Sequence, residues 1–253
     1  MRHLLFIIAP QLLFSIIALI YLPHNYIWLV LTFVSWFLMY VMGEGIFLHR
    51  YFSHRSFETR PWIAKIFGTL ATIGGYGSPI AFRAIHLGLH HKYTDKEGDP
   101  HSPVVDGFWH SVGFWYKEDI TPPLLICRRL MREKYYVWLD NNTFLLFWGV
   151  FLALFVIDIR LVLYGLCLPS FIGFMCLGIS NSFTHLVGTR RFDTNDNSRN
   201  IAILSWLTWQ GGVLHNNHHA LPNRYHDSHA WYEFDIGKYI IPLIATEPLT
   251  KTP

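Results

Sequence analysis

The sequence predicts an all-α membrane protein, with four transmembrane helices in two hairpins and the polar remainder folded as a cytoplasmic helical cap. Composition is the first reason: of 253 residues, 52% are hydrophobic and only 15% charged, against a charged share of about 25% in an average soluble domain. The second is that the apolar residues come in long runs rather than amphipathic stripes. The third is where the cations fall. Of the 20 Lys and Arg, 12 lie in residues 49–142, 6 in 188–253, and Arg2 and Arg160 stand alone. By the positive-inside rule the two polar segments and the N-terminus share the cytoplasmic side, with Arg160 outside.

The elements follow in order. Residues 4–22 have the length of a bilayer crossing, and residues 26–48 form a second run after the break Pro23-His24-Asn25. Pro10 and Gln11 inside the first run, and the absence of a small-residue cleavage site after it, argue against a cleaved signal peptide. Residues 143–157 and 161–187 make the second hairpin, turned at Asp158-Ile159-Arg160. Residues 62–82 are apolar but contain Lys65 and end in Gly74-Gly75-Tyr76-Gly77-Ser78-Pro79, and a crossing there would separate segments that the charge count places together. They are expected as a half-embedded or interfacial helix. The whole chain is expected to be one domain, its cap formed by residues 49–142 and 188–253. A formal charge of +3 is too small for a nucleic-acid partner. Cys127, Cys167 and Cys176 lie far apart, which encodes neither a disulfide framework nor a thiolate metal site.

Histidine is the abnormal residue, with 15 copies. The clusters are His49-Arg-Tyr-Phe-Ser-His54, His86-Leu-Gly-Leu-His90-His91, Asn181-Ser-Phe-Thr-His185 and His215-Asn-Asn-His218-His219, all at cytoplasmic ends of spans or in the cap. Residues four apart share one face of an α-helix, so His86/His90, Asn181/His185 and His215/His219 are each expected to aim at one point, with His218 one position off that stripe. His49 and His54 are five apart, which predicts that the helix ends or distorts between them. A lone interfacial histidine is more often a satisfied polar residue than a ligand, and His3, His24, His101, His110, His226 and His229 are read that way. Nine imidazoles without a thiolate or carboxylate exceed the four to six positions of one ion. The cap is therefore expected to hold a di-metal site, and an open, thiolate-free centre favours two Fe ions with O2 as co-substrate.

At these residues the chain resembles the integral-membrane fatty acid desaturases, the three-histidine-box family of acyl-CoA and acyl-lipid enzymes, in their Δ9-type branch. The resemblance runs through the boxes, through Gly98-Asp99-Pro100-His101-Ser102 and through Ala230-Trp-Tyr-Glu-Phe-Asp235. It implies that His49, His54, His86, His90, His91, His185, His215, His218 and His219 hold the metals, with Asn181 acting through a water. It implies desaturation of a saturated acyl chain near its middle, in a narrow apolar tunnel. The chain departs from the pattern at several points. The middle box has three residues between His86 and His90 where the acyl-CoA branch has two. Phe82 and Ala84 stand where animal acyl-CoA enzymes carry a substrate-holding Trp and Arg, Arg83 lies between them, and Leu177-Gly178 replaces a Thr-Trp pair at the tunnel bend. A Glu common shortly before the last box is replaced within Gly211-Gly212-Val213-Leu214. Phe82, Arg83, Leu177 and Gly178 are accordingly the candidate substrate-binding positions, and a lipid-linked acyl group is favoured over a thioester.

The expected partners are the bilayer, the fatty acyl substrate and an external ferredoxin or cytochrome b5-type electron donor. Arg128, Arg129, Arg132 and Lys134 form a basic cluster suited to an acidic donor or anionic lipid. A fatty acyl or alkyl hydroxylase on the same scaffold shares the first hydrogen abstraction. A non-redox membrane metal-binding protein would need ionisable residues lining a path through the spans, where only Glu44 and the Asp158/Arg160 turn occur.

Overall fold

The computed structural model describes residues 1–21, 25–117, 120–247 and 249, so His24 and the Pro23-His24 part of the first break lie outside the described residues. Among the described residues the regular structure is helical, with three isolated bridges, Thr59 to Ala245, Thr189 to Asn200 and Asn200 to Leu214, in place of strands. We number α1 Leu4–Ile20, α2 Tyr26–His54, α3 Pro61–Ile73, α4 Pro79–Ile85, α5 Phe108–Val112, α6 Lys134–Asn141, α7 Thr143–Ile157, α8 Leu161–Phe183, α9 Ala202–Thr208, α10 His215–Ala220 and α11 Gly237–Ile244.

Two of these, α2 with 29 residues and α8 with 23, are long and apolar enough to cross a membrane. A third crossing exists if α6 and α7, bent by 71° at Asn142, count as one span. At about 1.5 Å per residue α1 is about 25 Å long, short of a hydrocarbon core of about 30 Å. The membrane-embedded helical class stands on these helices. Asn25 starts α2 by accepting the Ile27 amide at 2.9 Å, which places the break between the first two helices where the sequence does. α8 ends at Phe183, four residues before the expected limit, with the amide and the hydroxyl of Thr184 both bonded to the Ser180 carbonyl.

The stretch expected as one half-embedded helix is two. α3 ends at Ile73, and Gly75 and Gly77 take φ of +88° and +99° before Ser78 caps α4 through the Ala81 amide at 3.0 Å. The turn is held from the N-terminus: Gln11 donates to the Gly74 carbonyl at 3.0 Å and the His3 ring bonds the Gly75 carbonyl at 2.8 Å. α3 lies along α2, with Phe67 stacked on Phe47 at 4.8 Å. Gly43 and Ala71 leave room for that approach, since a Cβ on Gly43 would stand 3.0 Å from that of Ala71.

From Phe37 to His54, α2 is wound in wide i→i+5 turns, and the Arg55 amide closes the last of them onto the Arg50 carbonyl. Arg50 then binds the C-terminal segment: Nη1 donates to Asp235 at 3.0 Å, and Nη2 donates to Asp227 at 2.8 Å and to Asp235 at 2.7 Å, all three side chains buried. Removing one partner of such a buried ion cluster costs about 3–5 kcal/mol. The two polar segments are thereby tied to the end of α2 and to each other.

The four-span arrangement gives a direct test. Single cysteines at Arg60 and Lys96 should react with an impermeant maleimide from the same side of oriented vesicles, and a cysteine at Arg160 from the other. Labelling of Arg60 and Lys96 from opposite sides would break the arrangement.

Candidate metal centre and acyl cavity

The nine box histidines divide into two groups. His49, His54, His86 and His218 bring ring nitrogens within 4.8 Å of one another, and His90, His185, His215 and His219 do the same. His91 joins the first group, its Nε2 standing 3.1 Å from Nε2 of both His86 and His218. Within that group His49 also stands 3.1 Å from His218, and His54 stands 2.8 Å from His86. Nitrogens bound to one ion at about 2.0–2.1 Å stand about 3 Å apart when adjacent, so these are the spacings of atoms that share a cation.

Helix winding sorts the residues. In the wide turns of α2 residues five apart share a face, so His49 and His54 converge, which is the distortion the sequence requires. The middle box winds the same way over His86–His90, with the His91 amide bonded to the His86 carbonyl. The expected His86/His90 pair is corrected by this: the two diverge into different groups, while His86 and His91, five apart, converge. The extra residue of this box is absorbed in the wide turn. On α10 the expectation for His215 and His219 holds, and His218, off their stripe, turns to the other group.

In the second group each ring is oriented from behind. Nδ1 of His90 donates to Asp99 at 3.1 Å, that of His185 to Asp95 at 2.9 Å, that of His219 to Asp196 at 2.8 Å and that of His215 to the Gly212 carbonyl at 3.1 Å. With the proton on Nδ1, each Nε2 presents its lone pair inward, and all four Nε2 atoms are buried without a hydrogen-bond partner. In the first group, Nδ1 of His218 lies 3.6 Å from Asp227. Burial, reinforced by neighbouring imidazoles, holds His86, His91, His215 and His219 well below the ordinary imidazole value, so they stand neutral. Neutral rings oriented by carboxylates are the form metal ligands take, and the residues present fit two metal ions.

The orienting carboxylates escaped the sequence reading. Asp95 and Asp99 lie near the middle box in Tyr93-Thr94-Asp95 and Gly98-Asp99, but Asp196 and Asp227 lie in polar stretches with no periodic pattern. His101 was assigned as an ordinary polar residue, yet its ring lies 4.4 Å from that of His90 and it lines the cavity below. His110, His226 and His229 bond to the Pro100 carbonyl, Ser228 and Arg224, away from both groups.

A cavity of about 260 Å³ opens onto both groups, its lining including His49, His86 and His215. Along α2 it extends back through Glu44 to Tyr40, and along α8 from Asn181 through Gly178 and Leu177 to Phe174, with Tyr76 and Tyr116 also in its wall. Phe82 lines it too. The Arg83 guanidinium does not face it, because it donates to the Phe52 carbonyl at 2.6 Å, to the Ser53 carbonyl, and through Nε to the Ile126 carbonyl at 3.1 Å. Gly178 lies where the backbone of α5 crosses, and a side chain there would strike the Val112 carbonyl. A long, mostly apolar space reaching paired metal-binding groups suits an alkyl chain.

Comparison with known proteins agrees. The family model described as fatty acid desaturase matches residues 26–242. The chain belongs to the fatty acid desaturase family. It is 30% identical over 235 residues to Delta-9 acyl-lipid desaturase 2 of Arabidopsis thaliana, covering 90% of this chain and 74% of that protein. To the hex-5-enoyl-[acyl-carrier protein] acetylenase of Moorena producens it is 30% identical over 239 residues, 79% of this chain and 69% of the other. To the acyl-CoA C20 Delta5-desaturase of Anemone leveillei it is 32% identical over 212 residues, 81% of this chain and 66% of the other. The protein is therefore an oxidoreductase of lipid metabolism, and its apolar helices and histidine groups fit a membrane enzyme that binds metal.

Two measurements test the centre. Metal analysis should find close to two ions per chain. Alanine at His54, His91, His185, His218 or His219 should abolish turnover, and Asp95→Asn should lower metal affinity about 10–100-fold by releasing His185. Full metal content in most of the histidine variants would refute the ligand set. The second measurement is pH. A histidine whose folded pKa is lowered binds its proton more readily when unfolded, so the metal-free protein should lose stability as pH falls below about 6.5. Each such ring contributes about 1.4 kcal/mol per pH unit. Thermal unfolding of metal-free protein between pH 8 and pH 5 should show a falling midpoint; a flat profile would contradict the neutral rings.

Proposed function

We propose that this enzyme introduces a double bond near the middle of a saturated fatty acyl chain at a di-iron centre. His49, His54, His86, His91 and His218 hold one ion, and His90, His185, His215 and His219 hold the other, with Asn181 acting through a water. The observation that carries this reading is the continuity of the acyl-sized cavity with ligands of both groups. Two iron ions, reduced from outside by a ferredoxin or cytochrome b5-type donor, supply the activation of O2 that lets hydrogen be taken from unactivated methylenes.

The chain's own residues do the rest. A saturated chain has no polar handle near the reacting carbons, so Phe82, Leu177 and Gly178 fix its register by shape, and the buried position of the site excludes water. With the four crossings expected from the apolar runs, the Lys and Arg distribution puts the centre on the cytoplasmic side. The donor docks on the basic face of Arg128, Arg129, Arg132 and Lys134. The acyl group is carried on a membrane lipid: Phe82 and Ala84 offer no charge to a nucleotide head, and Arg83 is committed to three backbone carbonyls.

Expression in a host without its own desaturase, followed by fatty-acid methyl ester analysis, should yield a monounsaturated acid; a hydroxy acid instead would move the enzyme to the hydroxylases. With purified enzyme, reductant and donor, stearoyl phospholipid should be desaturated in preference to stearoyl-CoA. Turnover of the thioester alone would defeat the lipid carrier.

A further inference from the structure

We infer that Glu44 and Gln210 form a binding site inside the acyl cavity for a hydroxyl group carried on the chain that the enzyme binds. The inference rests on the acyl reading of that cavity and names the class of chain it takes. It begins with a residue that the metal centre leaves unused. Glu44 is the one charged residue in residues 37–48 of α2, only 3% exposed, and it lines the cavity. It precedes His49 by five residues in a helix wound in i→i+5 turns, so the two side chains stand on about the same face, one wide turn apart.

The partners of Glu44 leave half of it unused. Gln210 Nε2 donates to Glu44 Oε2 at 3.1 Å and, with its other proton, to the Tyr40 carbonyl at 3.0 Å. Among the described residues no other hydrogen bond reaches the Glu44 carboxyl, and no cation pairs with it; Arg50 is held by Asp227 and Asp235. Glu44 Oε1 and Gln210 Oε1 are thus two acceptors in the wall of the cavity. The backbone is shaped to bring them there. Trp209 adopts φ of +59°, a left-handed turn that is costly for a tryptophan, immediately before Gln210. Gly45 leaves the space that the Gln210 amide fills, and any side chain there would collide with it.

Two acceptors select the ligand chemistry. A plain methylene chain would strip water from a buried carboxyl and return nothing. A carbonyl or ether oxygen has no proton to give Gln210 Oε1 and could bond Glu44 only in its protonated form. An alcohol hydroxyl donates to Glu44 Oε1 or Gln210 Oε1, and a site that hydrogen-bonds a hydroxyl discriminates strongly against the analogue lacking it. The substrate class is therefore a hydroxylated acyl chain, its hydroxyl several carbon–carbon bonds from the carbons presented to the histidines.

The test is equilibrium binding to the full-length protein in nanodiscs. Displacement of a fluorescent acyl probe would be measured for stearoyl chains and for monohydroxystearoyl chains with the hydroxyl moved one carbon at a time. One position, or two adjacent ones, should bind at least about tenfold more tightly than stearoyl. Glu44→Leu should erase that preference and tighten stearoyl binding; Gln210→Met, a second variant should the first not fold, should weaken the preference. Stearoyl binding as tight as every hydroxylated isomer, or a preference that survives Glu44→Leu, would overturn the proposal. Failure of every chain to displace the probe would overturn the acyl reading of the cavity itself, which separates the two failures.

Discussion

Nine imidazoles face inward around two points, with ring nitrogens 2.8–3.1 Å apart in the first group and, in the second, four buried and unpartnered Nε2 atoms in a cluster within 4.8 Å, a crowding that a cation at each point would satisfy. Much of the fold serves to enforce that crowding. Wide turns in α2 and in the middle box supply the five-residue register that a regular helix lacks. Carboxylates behind the second group fix the tautomers that send Nε2 inward. The Arg50 cluster holds the tail segment that carries Asp227 against the helix that carries His49. An ion cluster whose disruption costs about 3–5 kcal/mol is a large part of a typical stability of about 5–15 kcal/mol. Its place one residue from a ligand joins the folding of the C-terminal segment to the assembly of the site.

The sequence disclosed the parts that depend on counting and periodicity. Apolar runs located α1, α2, α7 and α8, and the histidine spacings located the ligand candidates, because both signals are local. Winding was legible only as a contradiction. A five-residue gap between His49 and His54 required a distortion, but the same logic was not applied to His86 and His91, where a four-residue pair was at hand and misled. Arg83 shows a second limit. Its sequence neighbourhood suggested a substrate contact, whereas carbonyls left unpaired at the end of α2 drew its guanidinium away from the cavity. The orienting aspartates were not legible because each meets its histidine across at least nine residues, and Asp95 meets His185 across 90.

Glu44 and the histidines also show how one helix serves two chemistries. Between Tyr40 and His54, α2 buries nearly every residue, and it lines the cavity with Tyr40, Glu44 and His49. A regular α-helix would rotate Glu44 about 140° from His49 over five residues, at 3.6 residues per turn. The wide winding takes up most of that rotation and brings the carboxyl toward the face of His49. The distortion that builds the metal centre therefore also decides what else faces the chain.

The outer carboxylates close the electrostatic argument. Metal ions bound between imidazoles, which coordinate without bringing negative charge, would carry their positive charge into a buried place, where uncompensated charge is costly. Asp95, Asp99 and Asp196 stand behind the second group and Asp227 near the first, which supplies four negative charges one imidazole away. Asp227 is shared with Arg50, whose positive charge is in turn met by Asp235. Negative charge is thus supplied without a carboxylate oxygen among the ring nitrogens of either group. Carboxylates held one imidazole away make the rings better donors, so they would both tighten the hold on bound metal ions and offset their charge.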